Sequence, residues 1–127
     1  MDAFLKTPQG GGRVNFMGRC NSTVLAPHAD NEDALGDMYL LRNAVEHVHD
    51  IDPIPDRIAD PAERKRVRDR RLRQLEVMTL AVYRRIIGDA QLRTDLGTDA
   101  GIDAFWGQAD PVRSARWNAP LDLNAIQ

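Results

Sequence analysis

The stretch Asp60-Pro61-Ala62-Glu63-Arg64-Lys65-Arg66-Val67-Arg68-Asp69-Arg70-Arg71-Leu72-Arg73-Gln74-Leu75-Glu76-Val77-Met78-Thr79-Leu80-Ala81-Val82-Tyr83-Arg84-Arg85-Ile86-Ile87-Gly88 decides the fold class of this 127-residue chain. Asp60 is a good N-cap, Pro61 suits the first helical position, and Glu63 stands where a capping-box carboxylate reaches back. Gly88 marks the far end. The 27 residues from Pro61 to Ile87 run about 40 Å as a helix at ~1.5 Å per residue. Leu75, Met78, Val82 and Ile86 line one face, and that face continues N-terminally as Arg64, Arg68 and Arg71. An unpaired buried arginine is too costly. The first third of the helix is therefore expected to overhang the core or to line a polar groove.

Upstream, residues 31–50 predict a second helix, with Asp30 as N-cap and Glu32 and Asp33 at the positive end of its dipole. Ala34, Leu35, Met38, Leu41, Val45 and Val48 form its buried stripe. The run Asp50-Ile51-Asp52-Pro53-Ile54-Pro55 ends it, since each proline disfavours helical geometry in the residue before it. Downstream, short helices are expected over 89–95, 98–106 and 111–117. Residues 1–30, with Pro8, Gly10-Gly11-Gly12 and Pro27, read as an irregular N-terminal segment, the tail of something longer, with the glycines as a hinge or linker. No stretch reads as a strand. The expected fold is all-α, a helical bundle with one long helix (about 61–87), a helix at about 31–49 and short C-terminal helices, its main domain covering 31–127.

Composition narrows the function classes. A 43% hydrophobic and 28% charged chain is of globular type. No apolar run reaches the roughly 18 residues of a membrane span, and the first 20 residues hold no signal-peptide core. A cytoplasmic protein without a membrane partner is expected. Cys20 is the lone cysteine, which excludes an internal disulfide and reads as a packing or surface thiol. The net charge of −2 hides an asymmetry, for residues 64–73 carry seven basic side chains against one acid. The block thus holds +6 and the remainder −8, a pattern that directs the block toward a phosphate-rich or acidic partner. Trp106 and Trp117 offer stacking surfaces for bases, although on such short helices they read first as closure of the core.

The segment Tyr39-Leu40-Leu41-Arg42-Asn43-Ala44-Val45-Glu46-His47 carries the chemistry: an arginine, a polar residue after it, and a histidine five positions on. With its aromatic-x-Leu-Arg-Asn lead-in, the break after it and the long helix beyond, it resembles the motif of HEPN domains, over roughly residues 31–107. That family consists of helical bundles, many of them RNases of toxin–antitoxin, phage-defence and RNA-processing systems. The resemblance implies a metal-independent endoribonuclease that leaves a 2′,3′-cyclic phosphate and a 5′-OH. His47 would move the proton of the ribose 2′-OH, Arg42 would stabilise charge on the phosphate, and Asn43 would orient the site. An imidazole titrates near neutrality, and a guanidinium grips two phosphate oxygens at once. The family's bundle has two helices before the motif, where this chain offers only residues 1–30, so upstream residues or a partner chain would complete it.

At about 100° per residue, Arg42 and His47 lie roughly 140° apart on a regular helix. Either the helix unwinds near Glu46 or the site is shared across a homodimer, as HEPN RNases typically do. His49, nearly on the azimuth of Arg42, is the reserve candidate. Arg64, Arg68 and Arg71 are the expected RNA-binding residues. His47-Val48-His49-Asp50, with Asp52 and His28, invites a metal reading, but alternate histidines diverge by about 200° on a helix. No metal or other cofactor is expected. Two other readings compete with the RNase: a non-catalytic HEPN-like module that binds RNA or nucleotide, and a protein-interaction domain whose arginines meet an antitoxin or other acidic protein.

Overall fold

A computed structural model describes residues 11–47 and 58–127, with residues 45–47 described by their backbone alone. Six α-helices lie among the described residues: α1 (Gly12–Arg19), α2 (Asn31–His47), α3 (Pro61–Gly88), α4 (Ala90–Asp95), α5 (Asp99–Trp106) and α6 (Asp110–Trp117). A π-helical turn, Cys20–Val24, extends α1, and a 3₁₀ turn, Leu123–Ala125, ends the chain's regular structure. The protein is all-α. No helix among the described residues is long and apolar enough to cross a membrane.

Local chemistry sets the boundaries of α3. The Asp60 carboxylate accepts from the Ala62 N–H at 3.0 Å, and Pro61 opens the helix where a missing N–H costs nothing. At the other end, Asp89 is extended and caps the next helix, accepting from the Gln91 and Leu92 N–H groups, each at 3.0 Å. The Leu92 N–H bond and then the Arg85 guanidinium hold the Asp89 carboxyl below its ordinary value. This cap is therefore complete at neutral pH and weakens as acid protonates it through that lowered value. Thr98 caps α5 by accepting from the Gly101 N–H at 3.1 Å.

Gly101 has a further role. A Cβ there would collide with the Asp95 carbonyl, which is backbone and has nowhere to swing. Gly101→Ala is expected to lower stability by roughly 2 kcal/mol, as overpacking does. Its melting temperature checks this, and an unchanged value would show that α4 and α5 separate freely.

The core draws on every part of the described chain. Leu35, Met38, Met78, Val82, Leu92, Phe105, Trp117 and Leu123 are buried together with Phe16, Cys20, Val24 and Leu25. The last four come from the segment expected to be irregular. Residues 12–24 are instead helical, and α1 packs antiparallel on α2, with Gly12 against Tyr39 and Asn21 against Asn31. Gly12 can open a helix because its missing Cβ leaves room for the Tyr39 hydroxyl, 2.8 Å from where that atom would sit. The tertiary contact offsets what glycine costs a helix. At the C-terminus, Asn118 takes the left-handed conformation (φ 46°) that stops α6. The chain then returns along α3. The Trp117 carbonyl accepts from Arg85 and the Leu123 carbonyl accepts from Gln74 at 2.9 Å. One isolated parallel bridge, Leu25 to Leu121, ties the two ends of the bundle together.

Candidate nucleic-acid interface

The motif residues sit at the C-terminal end of α2. The helix continues regularly through His47, so positions 42 and 47 keep their separation of about 140°. The helix does not unwind near Glu46 before His47. Arg42 and Asn43 are half-buried. The side chain of His47 and the whole of His49, Asp50 and Asp52 lie outside the described residues.

The basic block occupies the first turns of α3. No residue from Pro61 to Arg73 is buried, and the first buried position of the helix is Gln74. Lys65, Arg66, Arg70 and Arg73 are exposed and have no ion-pair partner among the described residues. Arg66, Arg70 and Arg73 share the side of the helix opposite Met78 and Val82, within about 60° of one another. Arg68 pairs at the surface with Asp69 at 3.6 Å, and Arg64 is half-buried. These turns form the expected overhang.

Arg71 departs from that expectation. Its side chain is 16% exposed, and its Nε donates to Asp37 Oδ2 at 3.2 Å, across to α2. Its Nη1 donates to Gln74 Oε1 at 2.9 Å, and Gln74 in turn holds the Leu123 carbonyl. Asp37, only 4% exposed, supplies the counter-charge that makes burial of the arginine affordable. The signal for this pair was present in α2, where Asp37 falls on the same face as Ala34, Met38 and Leu41. An acid in an apolar stripe needs a cation from elsewhere.

Trp106 and Trp117 close the core. Trp117 is buried, and the Trp106 ring carries the guanidinium groups of Arg19 and Arg113 at 4.8 and 5.4 Å. Arg113 is held by the Trp106 carbonyl at 3.1 Å, the Gln108 carbonyl and Asp110. Burial and then the neighbouring Arg113 charge lower the Arg19 pKa, while Asp103 opposes them. Cys20 is fully enclosed, and burial pushes its thiol up to about 12, so it stays protonated and unreactive at neutral pH. A groove of about 550 Å³ runs between α1 and α2, lined by Arg13, Val14, Met17 and Leu35 among others, and includes none of the motif residues.

Set beside known proteins, the chain matches no family model, no curated sequence and no solved structure.

Proposed function

We propose that this chain binds RNA in the cytoplasm through the solvent-facing cations of the first turns of α3. We further propose that its HEPN-like motif cleaves the bound strand without a metal ion. The observation that carries the binding step is the cluster of Lys65, Arg66, Arg70 and Arg73, exposed and without ion-pair partners among the described residues, on a chain charged −8 outside residues 64–73. A polyanion meeting this face releases counterions, a gain that the acids of the described residues do not already satisfy.

In the cleavage step the ribose 2′-oxygen attacks the adjacent phosphorus while His47 takes its proton. The bond to the 5′-oxygen breaks, and a proton returned to that oxygen leaves a 5′-OH and a 2′,3′-cyclic phosphate. Arg42 neutralises the non-bridging oxygens, and Asn43 orients the phosphate. Because the two positions diverge on a regular helix, the arginine and histidine at one phosphate come from different copies of the chain. The same divergence favours a second reading, a module that binds RNA or an acidic protein without cleaving.

The test of binding is the replacement of Lys65, Arg66, Arg70 and Arg73 by glutamine. Affinity for unrelated single-stranded RNAs is expected to fall, and the slope of log affinity against log salt to flatten by about 0.7 per lost contact. Circular dichroism and melting temperature should hold, because exposed side chains contribute little packing. An unchanged salt slope in the folded variant would refute RNA contact by this face. Polyglutamate competing as well as RNA would point to an acidic protein partner instead.

A further inference from the structure

The exposed cations of α3 do not end with the first turns. Arg84 is exposed and has no ion-pair partner among the described residues. Eighteen residues, or five full turns at ~3.6 each, separate it from Arg66, so the two share an azimuth about 27 Å apart. With Arg70 and Arg73 they keep within about 60° of one another, on the side of the helix away from Met78 and Val82. Lys65, about 100° round from Arg66, stands off this line.

Between Arg73 and Arg84 the line is carried by half-buried Val77 and by Leu80, which is 45% exposed. Ile87, 62% exposed, follows Arg84. Leu80 and Ile87 are displaced from Arg84 by about 40° and 60°, both in the same direction round the helix. Asp69, paired with Arg68, and the exposed Glu76 fall on that side as well. The surface is thus divided lengthwise, with four arginines along one side and apolar and acidic side chains along the other.

This division selects the form of RNA. A duplex presents phosphates on a cylinder and keeps the faces of its bases stacked, so Leu80 and Ile87 gain nothing from it. An unpaired strand carries its phosphates along one edge and can turn its bases to the other. There apolar contact is favourable, and the carboxylates stay clear of the phosphates. We propose that α3 binds single-stranded RNA from its first turns to Arg84, with phosphates on Arg66, Arg70, Arg73 and Arg84 and bases on Leu80 and Ile87. This rests on the RNA-binding reading of the first turns and asks nothing of the cleavage motif.

The test uses the full chain and 2′-O-methyl oligouridylates, which lack the nucleophile for cleavage, at lengths from about 4 to about 16 nucleotides. Affinity should climb with length until the strand spans the line from Arg66 to Arg84, and then level off. Arg84→Gln should weaken the longer strands about fivefold and flatten their salt slope by about 0.7, yet leave the shortest unchanged. Leu80→Gln should also weaken the longer strands, but with no change of salt slope, because it removes apolar contact and no charge. The longest strand annealed to oligoadenylate should be indifferent to Leu80→Gln. Unchanged long-strand affinity in Arg84→Gln, an equal loss at every length, or a duplex as sensitive to Leu80→Gln as the single strand would each overturn the proposal. So would an Arg84→Gln variant that loses polyglutamate and keeps RNA, which would give the face to an acidic protein. The quadruple glutamine variant of the first turns separates these outcomes from failure of RNA binding itself, which alone leaves its salt slope unchanged. Should Leu80→Gln fail to fold, the length dependence of Arg84→Gln still decides the matter.

Discussion

Replacing His47 or Arg42 by alanine is expected to lower the initial rate of single-stranded RNA cleavage by about 100-fold or more, the usual scale for a proton-transfer group or a charge stabiliser. The products of the wild-type reaction should carry 2′,3′-cyclic phosphate and 5′-OH ends, and EDTA should leave its rate unchanged. RNA affinity should survive in both variants, because the cations of α3 carry it. Mixing the two inactive variants supplies a sharper measurement. If Arg42 and His47 act on one phosphate from different copies, a mixed dimer keeps one intact site of two. Random mixing then restores about a quarter of the wild-type rate. Full cleavage by either single variant, or loss of the wild-type rate in EDTA, would eliminate this mechanism. An active wild type whose variants fail to complement would place both groups within one copy.

Arg71→Ala is expected to destabilise the fold by about 3 kcal/mol, because it strips a charge partner from the buried Asp37 and a donor from Gln74. The melting temperature should drop by roughly 10 °C for a domain of this size. The neighbouring Arg70→Ala, on the exposed side of the same turn, should stay within about 0.5 kcal/mol of wild type. The paired change Arg71→Met with Asp37→Leu removes both charges and should recover most of the loss, as apolar replacement of a buried ion pair does. Calorimetry separates these outcomes. A wild-type melting temperature for Arg71→Ala would mean that the guanidinium is exposed in solution, and would return it to the RNA-binding set.

The boundaries of α3 are legible along the chain because the groups that make them are neighbours: Asp60 reaches Ala62, Pro61 follows directly, and Asp89 separates α3 from α4 within one residue. The stripe of Ala34, Leu35, Met38 and Leu41 is legible for the same reason, since helical periodicity converts spacing into a face, and those four side chains are buried. The divergence of Arg42 from His47 follows from periodicity as well, and the regular course of α2 through His47 preserves it.

Other features depend on groups far apart in the chain. The glycines before Val14 carry a local penalty for helix, yet Gly12 begins α1 because Tyr39, 27 residues away, fills the space a side chain would need. The seven cations of residues 64–73 are equivalent as a composition. Their separation into an exposed set and a half-buried Arg71 was made by Asp37, which meets that one guanidinium across two helices. Burial of a charge turns on whether a counter-charge arrives from another element. Periodicity places side chains on a face of their own helix but says nothing of what the opposing helix brings to it.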